Sequence, residues 1–258
     1  MPGHALVSYL QVASLVGSAL ISLKLFTTSL YRRYPIFFTY CIFRVADGIW
    51  PLRVDVKSSA YAYFWAFAEP LNLILWVWVV LELCKLVLEK HRGLYTLGRW
   101  AMAVGMIISV TLSILSLLPR IKPAASQKSR YLTYFYGADR GVTLCLAIFL
   151  ILMILLISRY PVRLSRNVVL HVSLYTIFFL TNTLSVLLWT VFGKRVYGTV
   201  TTSMMITSCC CVLAWLLFLN PGGEEVRVNI PHFGPESEER ILFHLDSLNT
   251  TLLKVARK

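Results

Sequence analysis

From Gly141 to Ile157 the chain reads GVTLCLAIFLILMILLI, with neither a charged residue nor a proline. A helix rises about 1.5 Å per residue and the hydrocarbon core of a bilayer is about 30 Å thick, so this run has close to the length and the composition of a membrane-crossing helix. Working outward, further apolar windows lie at Ala5–Leu30, Tyr34–Arg53, Ala62–Leu83, Arg99–Leu118, Val168–Phe192 and Tyr197–Leu219. The breaks between them carry Arg, Lys, Pro and Gly, as in Tyr31-Arg32-Arg33-Tyr34-Pro35 and Gly193-Lys194-Arg195, and read as helix ends. The windows are continuously apolar rather than alternating, which disfavours a β-barrel. The expected fold is therefore all-α, a seven-transmembrane-helix bundle with a short C-terminal amphipathic helix.

The composition agrees. The 258 residues are 57% hydrophobic and 14% charged, and their mean hydropathy is +0.69, leaving too little polar surface to coat an ordinary soluble enzyme. Net charge of +13 would suggest nucleic acid in a soluble domain, but here the Lys and Arg sit at helix ends, where they meet anionic head groups. The expected partner is the lipid bilayer, with no nucleic acid. The first window lacks a basic leader and is too long for a cleaved signal peptide, so it counts as the first span. Lys24, Arg32 and Arg33 follow it and no Lys or Arg precedes it, which favours an N-terminus outside and a cytoplasmic C-terminus in the inner (plasma) membrane. Residues 119–138 read as the longest loop, basic and external.

Residues 1–220 make the membrane domain and 221–258 a cytoplasmic tail. Ile241, Leu245, Leu248, Leu252 and Val255 recur at spacings of four and three, giving an amphipathic helix over about 237–257. It lies in the membrane interface or docks a membrane or cytoplasmic protein partner.

Ionisable residues within spans are costly and mark function by default. Arg44 lies at the middle of span two with Asp47 three residues on, and Glu69 lies in span three with Asn72 nearly one turn below. Spans two and three run in opposite directions through a short outer turn, which puts Asp47 and Glu69 at one depth. The four residues form a candidate ligand, ion or proton site, or else a structural ion pair holding the two spans together. Fully ionised, one cation and two carboxylates leave an excess negative charge, which a proton, a cation or a ligand amine would neutralise. Pro70 follows Glu69 and removes one intrahelical bond beside it. Secondary polar candidates are Asn182, Thr207, Ser208 and His171, the last read as a satisfied or interfacial histidine. Glu82, Lys85 and Glu89 read as a solvated, self-paired face.

No catalytic residues, cofactor or metal site emerge. Cys209-Cys210-Cys211 point about 100° apart on a helix and cannot converge on one ion. No nucleophile–base pair is evident, and the last span lacks the Lys that a retinal protein needs. Tyr34-Pro35-Ile36-Phe37-Phe38-Thr39-Tyr40, Tyr61-Ala62-Tyr63-Phe64-Trp65 with Glu69 and Glu82, and Tyr95 to Gly98 resemble a group of uncharacterised seven-span bacterial inner-membrane proteins. The likeness covers roughly residues 30–100 and implies a compartment, not an activity. The leading functional expectation is a non-enzymatic sensor or partner-binding module. A small proton-coupled secondary transporter is the alternative, and a membrane enzyme stands third.

Overall fold

Each apolar window folds as one long helix in the computed structural model, which describes residues 2–53, 58–89, 92–117, 127–159, 164–192, 196–225, 227–228 and 247. The order is α1 (Pro2–Thr27), a 3-10 turn (Leu30–Arg32), α2 (Pro35–Arg53), α3 (Ser59–Val87), α4 (Arg92–Leu117), α5 (Gln127–Arg159), β1 (Leu164–Ser165), α6 (Arg166–Phe192), α7 (Tyr197–Phe218), α8 (Gly222–Glu225) and β2 (Arg227–Val228). The amphipathic helix expected over 237–257 lies outside the described residues, Ser247 excepted.

Among the described residues, six helices contain a stretch long and apolar enough to cross a membrane: Val7–Thr27, Tyr63–Val87, Gly93–Leu115, Gly137–Ile157, Arg166–Leu188 and Gly198–Phe218. The protein is all-α and of the multi-pass membrane type. α2 is not among the six, because Arg44 and Asp47 dilute its hydropathy. Leu23, Phe26, Trp78, Ile107, Leu112, Leu155 and Leu217 stand exposed, each at about half or more of its full surface, the pattern of side chains solvated by lipid tails. α5 starts at Gln127, fourteen residues ahead of its apolar window, so part of the loop expected over 119–138 is helix. Pro123 is the last proline before it, and none interrupts 127–159, so the backbone bonds propagate through the polar Tyr- and Arg-rich stretch.

The described chain divides into two units. The first comprises residues 1–82 and 165–226. In it α1 packs against α2 and α7, and α7 against α6. Gly17 permits the α1–α7 approach, since a Cβ there would collide with Val212. Near the same crossing Lys24 Nζ donates to the Leu216 carbonyl at 2.6 Å, satisfying one of the free carbonyls of the last turn of α7. α1 ends through Ser29 in the left-handed conformation (φ 57°), after which the 3-10 turn redirects the chain.

The first turn of α2 has no local cap. Pro35 occupies its first position, where a missing N–H costs nothing, and Tyr34 before it cannot accept from the next two amides. The acceptor comes from α3: Glu82 Oε1 takes the Ile36 N–H at 3.0 Å and Oε2 takes the Phe37 N–H at 3.1 Å. Glu82 is buried while Lys85 and Glu89 are exposed, so the expected solvated trio is corrected. Two amides at a buried helix start need an acceptor more than the aqueous surface needs a third charge.

The second unit, residues 83–164 and 227–258, is described mainly by α4 packed on α5. Its contact runs over small residues. Gly141 lies against the Val110 backbone, Gly105 against Cys145, and Ser109 Oγ donates to the Gly141 carbonyl at 2.8 Å. Close backbone approach at small residues is the usual basis of helix association in lipid, where dispersion replaces the hydrophobic effect.

Candidate functional site

Within the first unit, α1, α2, α3 and α7 line an open cavity of about 330 Å³. Arg44, Asp47 and Glu69 all line it, together with Gln11, Trp65 and Ser208. Arg44 and Asp47 pair along α2, Nη1 to Oδ2 at 3.5 Å, with about a third of each side chain accessible. Glu69 is bonded by the side chain of Trp65, one turn away on α3. The three ionisable groups therefore share a cavity wall instead of closing on one another as a dry triad. Gly48 sets the width of the α1–α2 side, because a Cβ there would press on Leu15 at 3.0 Å.

Asn72 is buried on α3 but does not line the cavity, and its Oδ1 has no partner among the described residues. Asn182 is buried on α6, Thr207 is half-buried on α7, and neither reaches the cavity wall. Ser208 does.

His171 corrects its expectation. It is wholly buried within the protein on α6, and both ring nitrogens lack a partner among the described residues. Tyr34, Phe37, Tyr175 and Trp215 surround it, with ring centroids at 4.7, 4.6, 6.5 and 6.0 Å. Tyr175 Oη and Trp215 Nε1 are likewise buried without a described partner. Unsatisfied groups of this kind cost about 1–3 kcal/mol each when dry. A second cavity of about 20 Å³ lies beside Tyr175 and Trp215, and Ser18, Arg44 and Ser208 line both it and the larger one.

Beyond His171 the Tyr34 hydroxyl donates a short hydrogen bond to Glu224 Oε1 of α8. Asn167 Nδ2 donates to the same oxygen and to the Asn220 carbonyl, each at 2.8 Å, and Arg33 Nε stands 4.0 Å from Glu224 Oε2. Gly223 admits Asn167, whose amide would meet any Cβ at that position. This latch joins the α1–α2 turn, the start of α6 and α8. Tyr34→Phe should cost about 1–2 kcal/mol in chemical unfolding, the value of one hydrogen bond to a carboxylate less the compensation left by Asn167. A change below about 0.3 kcal/mol would show that Tyr34 carries no part of the latch.

The aromatic nest and the latch were missed at the sequence level. His171, Tyr175 and Phe179 recur at i, i+4 and i+8, a stripe that names one face of α6, but an apolar helix gives no sign of which face meets protein. Glu224 stands in a short polar stretch after the last apolar window, and no periodicity singles it out.

Cys209, Cys210 and Cys211 are respectively half-buried, exposed and buried, pointing in three directions. The chain matches no family model, no curated protein and no solved structure.

Proposed function

We propose that the protein is a seven-span inner-membrane sensor that binds a small amine-bearing monocation in the cavity lined by Arg44, Asp47 and Glu69. The cavity carries the reading: about 330 Å³ falls within the range of small-molecule sites, and its wall holds one guanidinium against two carboxylates. A monocation balances the excess negative charge that a low dielectric resists, and Trp65 offers an aromatic face beside it. α2 is the seventh span, with Arg44 and Asp47 of its midsection in the cavity wall. Lys24, Arg32 and Arg33 after α1 support an N-terminus outside and a cytoplasmic C-terminus, and the amphipathic tail is the element that passes ligand state to a partner protein.

Thermal and chemical unfolding of the purified protein with a panel of primary, secondary and quaternary amines tests this. An amine at about a hundred times its Kd should stabilise the wild type by about 2.7 kcal/mol. Glu69→Gln should remove most of that gain, and Asp47→Asn should weaken it by releasing Arg44. If both variants lose equal stability and no amine shifts the wild type, the cluster is a structural ion pair and the reading fails.

A proton-coupled secondary transporter is the second reading, favoured by Pro70 inside α3 directly after Glu69. Interrupted helices at mid-membrane binding sites are a recurring device of such transporters. Uptake of the stabilising amine into proteoliposomes under a pH gradient separates it from the sensor, which binds without flux.

A further inference from the structure

Along three helices the small cavity continues the large one in a single direction. On α1 the large cavity is lined by Gln11, Ser14 and Ser18 and the small one by Ser18 and Ile21. On α7 the order is Met205, Ser208, then Cys211 and Trp215, and on α2, traversed in the opposite sense, it is Asp47, Arg44, then Cys41 and Phe37. Ser18, Arg44 and Ser208 line both cavities and mark a collar between them. Beyond the collar the wall holds no carboxylate. Cys41 and Cys211 are buried there, and the rings of Phe37, Tyr175 and Trp215 pack on one another at the far end, with centroids 4.8, 5.2 and 6.2 Å apart.

We propose that the small cavity is the inner end of the amine site, and that the ligand is an amphipathic monoamine with an unbranched alkyl chain of about six to eight carbons. The proposal rests on the amine reading, in which Asp47 and Glu69 hold the ammonium and leave the direction of the rest of the molecule open. Arg44 sets that direction. Its guanidinium at the collar repels a second cation, while a wall made mostly of rings, thiols and aliphatic side chains beyond it favours hydrocarbon. Volume selects the shape: about 20 Å³ admits the end of a chain, whereas a benzene ring needs a void on the order of 150 Å³. Depth selects the length. From Asp47 to Cys41 the α2 axis advances about 9 Å at 1.5 Å per residue, and an extended chain covers about 1.2 Å per bond, so roughly the seventh carbon reaches the level of Cys41. A longer chain meets the three rings.

Isothermal calorimetry of the purified full-length protein in mixed micelles, with straight-chain primary amines from methylamine to decylamine, tests this. Each methylene taken from water is worth about fourfold, so heptylamine should bind at least about tenfold more tightly than methylamine. Decylamine should fall back about fivefold or more, because its last carbons overpack the closed end. The diamine of heptane, which carries a second cation, and 4-phenylbutylamine, which carries a ring, should each bind about tenfold more weakly than heptylamine. Cys211→Val fills the inner end and should lower the ratio of heptylamine to methylamine affinity about fivefold. Cys41→Val does the same from α2 and carries the test if the first variant does not fold. A level series, a rise that continues through decylamine as in simple partition into the micelle, a diamine bound as tightly as heptylamine, or an unchanged ratio in the folded variants overturns the inner subsite and leaves the amine reading standing. If no amine of any length binds, both fall.

Discussion

Glu82→Ala should destabilise the protein by about 3 kcal/mol, a shift of roughly a hundredfold in the unfolding equilibrium. The carboxylate accepts from two main-chain amides, Ile36 and Phe37, at the first turn of α2, and it does so from a buried position. Hydrogen bonds to a charged group are worth about 1.5–3 kcal/mol each, and alanine leaves both donors without an acceptor in a site closed to water. Loss of the negative charge at the positive end of the helix adds a smaller term. Glu82→Gln retains one acceptor oxygen and should lose about half as much. Lys85→Ala, at an exposed position of the same helix, should stay within about 0.5 kcal/mol of wild type. Urea or mixed-micelle unfolding of the three variants provides the measurement, and a Glu82→Ala loss below 1 kcal/mol would mean that water, not the carboxylate, satisfies the α2 amides.

Two glycine-to-alanine substitutions in the second unit should have opposite signs. Alanine in a helix interior gains about 1 kcal/mol over glycine from propensity alone, so the local environment decides the outcome. At Gly105 the new methyl would meet only Cys145 Sγ at 3.4 Å, and the variant should be neutral or slightly stabilised. At Gly141 it would meet Val110 Cα at 2.7 Å, Val110 N at 2.9 Å and the Ser109 carbonyl oxygen at 3.0 Å. All three are backbone atoms, which cannot turn aside as a side chain can, so α4 and α5 must separate. Overpacking costs about 1–3 kcal/mol and more where backbone has to move, and Gly141→Ala should fall near 3 kcal/mol with the Ser109–Gly141 hydrogen bond lost as well. Equal effects at the two positions would rule out a backbone contact at Gly141.

The long helices were legible because hydropathy reports a solvent, and lipid demands twenty apolar residues whatever the neighbours are. Arg44, Asp47 and Glu69 were legible for the same reason: charge inside an apolar run has few explanations, and the antiparallel course of two neighbouring helices set the depth of the carboxylates. Partner choice was not legible. Glu82 repeats with Lys85 and Glu89 at helical spacing, and only the missing cap before Pro35 hinted that a distant carboxylate was required. α6 and α7 carry large apolar residues on every side, so nothing in them distinguishes Tyr175 or Trp215, which face protein, from Leu180 or Leu217, which do not. The start of α5 was missed because a polar helical extension leaves no mark on a hydropathy window.

The fastening of α1 to α7 has a consequence for biosynthesis. Lys24 and its acceptor Leu216 are 192 positions apart, and at about 5–20 residues per second a ribosome needs roughly 10–40 s to make the intervening chain. For most of that interval Arg44, Asp47 and Glu69 have been synthesised while the α7 wall of their cavity has not. The nascent protein must shelter three ionisable groups with whatever the insertion machinery provides, and release of α1 to α3 into lipid before α7 arrives is the step at which assembly is most exposed to failure.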